Sequence, residues 1–132
     1  MTTRSLATNV YLWQGEPLLM VARIETAGGT PIVIANVTSF GISVFDMAAN
    51  QDQATPVYQL GAIPAATGFF DTLQFDDAAN LLGDSGGYNF KYILDYDDFR
   101  MQGGSEYRVQ IDSTVSGSSH IQVYRVRVGE VL

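Results

Sequence analysis

One histidine and no cysteine leave few residues for catalysis in this sequence. His120 follows Ser118 and Ser119, and a serine activated by a histidine is a common nucleophile. A catalytic triad is defined by its geometry, however, and adjacent residues of a hairpin turn do not supply it. We therefore interpret His120 as an exposed turn residue. The sequence predicts no catalytic residue, so we expect that the protein is not an enzyme.

The densest group of acidic residues consists of Asp95, Asp97 and Asp98. Alternate carboxylates at a strand end can bind calcium, which takes about six to eight oxygen ligands. The group lacks the glycine and the terminal glutamate of a known calcium-binding loop. We favour a solvated acidic strand end, in which an aspartate side chain binds backbone amides of the turn, and predict neither a metal nor a cofactor. Further acids that the fold could bring near are Asp76, Asp77 and Asp84.

The best candidates for an apolar interaction surface are Trp13 and the adjacent pair Phe69 and Phe70. Successive residues of a strand point to opposite faces, so one ring of the pair is a candidate for contact with a partner. Burial of both rings in a wide core is an equal alternative, because single exposed aromatic residues are common.

The strands that would position these residues are clearest in residues 86–128. Runs rich in aromatic and β-branched residues are separated there by glycine, serine and aspartate, which is typical of an antiparallel sheet. Each run alternates apolar and polar side chains, so each strand has one apolar face. The apolar positions of the first two runs are Tyr88, Phe90, Tyr92 and Leu94, then Tyr107, Val109 and Ile111.

The last run changes phase, because Ile121 and Val123 share one parity while Val126 and Val128 share the other. A β-bulge near residues 124–125 would keep both pairs on the core face, and we predict one there.

Earlier in the chain the same reasoning predicts further strands. These are residues 9–13, 17–25, 37–46 and 57–60, with an edge piece at 30–34 and an ambiguous segment at 69–73. We expect an all-β, antiparallel β-sandwich of seven or eight strands, with at most one short helix near 76–82. Residues 1–8 are predicted to form a flexible N-terminal arm, and residues 9–132 a single β-sandwich domain.

The composition indicates one domain, because the chain has 132 residues, of which 46% are hydrophobic. Charged residues make up only 16%, below the roughly 25% of an average domain, which is a sign that part of the surface is covered in an assembly. A net charge of -7 argues against nucleic-acid and membrane partners. The sequence has neither a signal peptide nor a window long enough for a transmembrane helix, so we expect a soluble protein.

Residues 103–111 and 124–128 resemble the last two strands of many immunoglobulin-like sandwiches. They combine a glycine-rich turn, the pattern Tyr-x-Val-x-Ile and a closing strand Tyr-Arg-Val-Arg-Val. Together with residues 15–19, 38–46 and 87–90, the whole chain is similar to small β-sandwich virion proteins of tailed bacteriophages. Capsid decoration (cement) proteins and the N-terminal modules of baseplate upper proteins share this pattern.

This resemblance implies a structural function in the virion rather than a chemical one. The expected protein is a capsid decoration protein that binds and stabilises the head shell as a homo-oligomer. Its partner would be the major capsid protein or another virion protein. The resemblance leaves open a tail, neck or baseplate component. A calcium-dependent carbohydrate-binding module that uses Asp95, Asp97 and Asp98 is the alternative from another class.

Overall fold

The computed structural model describes residues 5–26, 28–48, 55–83 and 85–130. Alternating apolar residues form eight strands in this part of the chain, as expected of sequence with a period of two. The strands are β1 (Ser5–Trp13), β2 (Leu18–Ala22), β3 (Val37–Asp46), β4 (Tyr58–Pro64), β5 (Phe69–Gln74), β6 (Tyr88–Leu94), β7 (Glu106–Val115) and β8 (Ser118–Gly129). The helical segments within these ranges are three short 3₁₀ turns, Ile34–Asn36, Ala65–Thr67 and Asp77–Leu82.

The strands lie in two sheets. One sheet has five strands in the order β1-β8-β7-β3-β4, and the other has three in the order β2-β6-β5. This confirms the predicted all-β sandwich, including the short helical segment near 76–82. All strand pairs are antiparallel except β1 and β8, which run parallel over their whole shared length, so the prediction of a purely antiparallel sandwich is wrong for this pair.

The two sheets of five and three strands resemble an immunoglobulin-like sandwich, which has sheets of three and four strands in the constant type and gains two strands in the variable type. A hydrogen bond typical of that fold is present: Tyr107, near the start of β7, accepts one through its Oη from the Gln102 N–H at 3.0 Å. Antibody domains place a disulfide cysteine two residues after this tyrosine. Here the position is Val109, which is completely buried, so packing takes the place of a cross-link.

The main core lies between the sheets and is centred on Phe40 of β3. Its ring meets those of Phe69, Phe90 and Tyr92 edge to face, at centroid distances of 5.7, 5.4 and 5.7 Å. Edge-to-face pairs contribute about 0.5–1.5 kcal/mol each beyond the area that they bury. The aromatic residues of β3, β5 and β6 therefore join the two sheets.

A second, smaller cluster covers the outer face of the three-stranded sheet. Val21, Ala79 and Tyr88 are buried there, and Phe70 and Leu82 pack against them. The segment Asp77–Leu82 lies over this face, and Asp76 caps it by accepting a hydrogen bond from the Ala78 N–H at 3.0 Å. Asp76 also accepts a hydrogen bond from the Tyr88 Oη at 2.8 Å. The chain itself thus covers the part of this face around Val21 and Tyr88.

Tyr88 therefore departs from the predicted alternation. It packs in the second cluster rather than in the main core with Phe90 and Leu94. Its neighbour Asn89 is fully buried instead, and its side-chain amide binds the main chain of Ile24 and Ile32. These hydrogen bonds satisfy a polar side chain that would otherwise be costly to bury.

The predicted β-bulge near residues 124–125 is absent from the described structure, because β7 and β8 stay in register from Glu106 and Arg127 to Val115 and Ser118. Ile121 and Val123 therefore face outward, and Gln122 and Tyr124 take the core positions. Alternation alone cannot foresee that a glutamine and a tyrosine occupy an inner face.

Other predicted boundaries also differ from the observed ones. β1 begins at Ser5 rather than residue 9, so part of the segment predicted as an arm belongs to a strand, and residues 1–4 lie outside the described residues. The predicted edge piece at 30–34 reduces to one bridge between Glu25 and Pro31. β3 begins and ends where the sequence predicts.

Candidate functional site

The outer face of the five-stranded sheet carries exposed aromatic and basic side chains side by side. Val126 of β8 is buried in the core, so its neighbours Arg125 and Arg127 point outward. The parallel pairing with β1 adds three residues to this face: Asn9 beside Arg125, Tyr11 beside Arg127, and Trp13 beside Gly129. We call Tyr11, Trp13, Arg125 and Arg127 the aromatic–arginine face.

Tyr11 and Trp13 are strongly exposed, with 72% and 61% of their surface accessible. Trp13 is nevertheless held in place. Its ring lies against Gly129, where a Cβ atom would come within 2.8 Å of it. Its backbone N–H donates to the Glu16 carboxylate at 2.7 Å. An exposed aromatic ring that is already positioned loses little conformational freedom when a partner covers it.

The arginines are arranged in rows across the sheet. Arg127 lies between Tyr11 on β1 and Glu106 on β7, and its guanidinium is 3.4 Å from the Glu106 carboxylate. Both side chains of this ion pair are in contact with solvent, at 67% and 42% exposure, so it contributes at most about 1 kcal/mol to stability. A shallow groove of about 200 Å³ runs between these side chains, with Asn9 and Arg125 at its wall.

Farther across the same sheet, Arg108 of β7 lies opposite Phe45 of β3. The Arg108 guanidinium stacks 4.3 Å above the centre of the Phe45 ring, a favourable cation–π contact. In a chain with a net charge of -7, this face thus gathers three of the seven basic residues. Trp, Tyr and Arg are the residues most enriched at the centres of protein interfaces.

Of the predicted surface residues, Trp13 belongs to this face and the phenylalanine pair does not. Phe69 is buried in the main core and Phe70 is half-buried. The two rings point to opposite faces of β5, as the sequence predicts. The ring of Phe70 meets that of Tyr88 at a centroid distance of 5.7 Å. Neither phenylalanine is therefore available to a partner in the way that Trp13 is.

The acidic group follows β6 in a tight turn. Asp98 accepts a hydrogen bond through its carboxylate from the Asp95 N–H at 3.2 Å, and donates its own N–H to the Asp95 carbonyl at 3.0 Å. This geometry fits the interpretation of an acidic strand end that caps its own turn. Burial, with the added charge of Asp98, raises the pKa of Tyr58 and Tyr92 above the usual value.

Within the described ranges, no group of three or more acidic or histidine side chains is arranged to hold a metal ion. Asp84, a further ligand considered in the sequence, lies outside them. Asp76 is engaged by Tyr88 and by the Ala78 amide, as described above.

His120 lies in β8 rather than in a turn, and it is half-buried. Its partner across the sheet is Ser113, whose buried hydroxyl has no hydrogen-bond partner among the described residues. Ser119 points to the opposite face of the strand. The Ser113 hydroxyl is therefore not held by this histidine as a nucleophile would be.

Sequence reasoning missed Tyr11, Arg125 and Arg127. The available signal was parity: Tyr11 and Trp13 are two residues apart, as are Arg125 and Arg127, so each pair shares a strand face. What the sequence did not contain was the pairing of β1 with β8, which brings the two pairs together.

No family model, curated protein or solved structure matches the chain. In the described part of the chain, no helix is long and apolar enough to cross a membrane.

Proposed function

We propose that this protein is a structural binding protein of a tailed-phage virion, a capsid decoration protein that docks on the head shell through its aromatic–arginine face. The observation that carries the proposal is the pair of exposed, positioned rings, Tyr11 and Trp13, beside Arg125 and Arg127. Rings of this kind bury a large apolar area at low entropic cost, and neighbouring arginines add charged hydrogen bonds.

The choice of a virion as the location rests on the resemblance of the sequence to small phage sandwiches. Its low content of charged residues, 16%, supports a protein that works in an assembly. Decoration requires contacts at many equivalent places on a shell, and a symmetric homo-oligomer would repeat the aromatic–arginine face around its axis.

The test is co-sedimentation of the protein with heads, tails and baseplates. These particles are purified from the phage that encodes this chain, after its gene for the protein has been inactivated. Trp13→Ala should weaken binding to heads at least about tenfold, because a central tryptophan carries much of an interface's energy. The matched control is Phe75→Ala. Phe75 is 67% exposed, but it directly follows β5, which belongs to the three-stranded sheet. This variant should bind normally.

Equal binding by both variants would overturn the assignment of the face. Binding to tails or baseplates alone would mean that the protein is a tail or baseplate component rather than a decoration protein of the head shell. Light scattering tests the oligomer, and a strict monomer at high concentration that binds no particle would refute the decoration function.

A further inference from the structure

β1 is the outer strand of the five-stranded sheet, and no described strand lies beyond it. All nine of its residues pair with β8 without a register shift, and it contains neither a charged residue nor a proline. Natural proteins protect their edge strands with charges, prolines, bulges or short length, because an unprotected edge pairs readily with another chain. β1 has none of these protections.

The other three edges of the sandwich are each protected. β4 is interrupted by a register shift and a positive φ of 55° at Ala62, and it ends in Pro64. β5 carries the charge of Asp71 and pairs irregularly with β6. β2 has only five residues, and its Val21 carbonyl already accepts a hydrogen bond from the Tyr124 Oη. Among the described strands, β1 therefore offers the longest unprotected edge.

Hydrogen bonds at the end of β1 show which of its main-chain groups face this edge. The Gln14 N–H, directly after the strand, donates to the Gly129 carbonyl of β8 at 3.0 Å. Consecutive residues of a strand direct their main-chain groups to opposite sides, so those of Asn9 and Tyr11 face away from β8. Trp13 agrees with this alternation, because its N–H donates to the Glu16 carboxylate at 2.7 Å. Glu16 therefore marks the end of the free edge.

The edge is open to solvent. Asn9 and Tyr11 are exposed, and the inward-facing Val10 and Leu12 are only half-buried, although they pack against the main core. An apolar cavity of about 330 Å³ opens between β1 and β2, and the exposed Leu81 contributes to its wall. A strand added to β1 would therefore cover apolar side chains in addition to pairing the main chain.

We propose that β1 pairs antiparallel with β1 of a second copy of this chain, so that two five-stranded sheets join into one continuous sheet. The two-fold axis is perpendicular to the sheet and passes beside Asn9, the middle residue of the strand. This register pairs the strand along its whole length. A two-fold axis brings the same patch of both copies together.

The sequence of β1 complements itself in this register. Tyr11 and Trp13 lie beside positions 7 and 5 of the second copy, which are alanine and serine in the sequence, so the large rings do not meet. Asn9 lies beside its own copy, and each side-chain amide offers both a donor and an acceptor to the other. The occupant is therefore a second copy rather than an unrelated strand.

Charge also permits this contact. The chain has a net charge of -7, but β1 contributes no charge to it, so the paired strands do not repel each other. The arginines of β8 in the two copies are separated by three strand spacings, about 14 Å. This distance exceeds the screening length of about 8 Å at physiological salt.

The dimer specifies the homo-oligomer of the proposed function, but the argument from β1 does not rest on that function. Because the axis is perpendicular to the sheet, the outer faces of both copies point to the same side. The two aromatic–arginine faces then form one surface.

Analytical ultracentrifugation over a series of concentrations tests the interface. The wild-type protein should reach twice the mass of the 14.4 kDa chain. Asn9→Lys places two like charges beside the axis and should raise the dissociation constant of the dimer at least about fivefold. The matched control is Gln59→Lys, the same charge at an exposed position on β4, the opposite edge of the sheet. It should leave the dimer unchanged.

A single introduced cysteine tests the register, because the chain contains none of its own. The Cα atoms of a hydrogen-bonded antiparallel pair lie about 5.5 Å apart, a distance that a disulfide spans. Asn9→Cys should therefore form a cross-linked dimer under mild oxidation. Tyr11→Cys should not, since its two copies lie about 14 Å apart along the strands.

A monomer at every concentration would overturn the proposal. A dimer that Gln59→Lys weakens instead of Asn9→Lys would overturn it too, as would equal cross-linking of the two cysteine variants. If the isolated protein is monomeric but its β1 amides become protected from hydrogen exchange on phage heads, the edge binds another protein rather than a second copy.

Failure of this inference is distinguishable from failure of the proposed function. A monomer that binds heads would refute only the dimer. A β1-linked dimer that binds no virion particle would refute only the decoration function.

Discussion

The two outer faces of the sandwich treat their large apolar residues in opposite ways. On the three-stranded sheet, the segment Asp77–Leu82 folds back over Val21, Phe70 and Tyr88. On the five-stranded sheet, no described segment covers Tyr11 and Trp13. The chain therefore covers large apolar residues on one face and leaves Tyr11 and Trp13 exposed on the other. The small size of the domain does not explain this exposure, because the same chain covers the rings of its other face.

The largest expected difference between the two faces is in the stability lost when one large ring on each face is truncated. Tyr88→Ala should lower the free energy of unfolding by about 3–5 kcal/mol, because it leaves a cavity beside Phe70. Trp13→Ala should lower it by at most about 1 kcal/mol, since most of that ring is already in water. Urea denaturation of the two variants measures both values. Similar losses would mean that Trp13 is a structural residue.

Alkaline pH tests the closed face through the ionisation of Tyr88. Burial, with the hydrogen bond to Asp76, raises the pKa of Tyr88 from 10.0 to about 12. The folded protein then holds this proton more tightly than the unfolded chain does, so the stabilisation is complete below pH 10 and is lost as the pH rises from 10 through 12. Between pH 10 and 12 the melting temperature should fall less steeply with pH for Tyr88→Phe, because a phenylalanine side chain cannot ionise.

Burial also raises the pKa of Tyr58, Tyr92 and Tyr124, but these residues are present in both proteins, so the difference between the proteins isolates Tyr88. Identical slopes for the two proteins would show that Tyr88 does not contribute.

The smallest expected change in stability comes from Gly129→Ala on the open face. A Cβ atom there would come within 2.8 Å of the Trp13 ring, so the ring must move, while the unfolding free energy should change by less than about 1 kcal/mol. Trp13 is the only tryptophan in the chain, so its fluorescence emission reports the displacement as a red shift. Binding to heads should weaken although every aromatic and arginine residue is retained. Thr114→Ala, an exposed position near the far end of β7, is the control.

The sequence predicted the sandwich because local patterns determine strands. β3 alternates so regularly around Phe40, Ile42 and Val44 that its limits could be read directly. The inward turn of Gln122 was not predictable, because alternation assumes that apolar residues face inward. Ile121 and Val123 face outward in β8, which only its register with β7 decides.

The candidate site was predictable only in part for the same reason. Trp13 could be chosen from its residue type, but its proximity to Arg127 depends on the pairing of the first strand with the last. Residues more than a hundred positions apart carry no local signal of that pairing.

The parallel alignment of β1 and β8 has a mechanical consequence. Their nine paired positions, from Ser5 beside Ile121 to Trp13 beside Gly129, run in one direction, so the chain enters β1 at one end of the sandwich and leaves β8 at the other. Tension applied to the segments that flank these strands pulls them past each other. The evenly spaced hydrogen bonds of a parallel pair then share the load in shear rather than opening one after another. The same pairing that brings the rings and the arginines together thus resists stretching along the direction of these two strands.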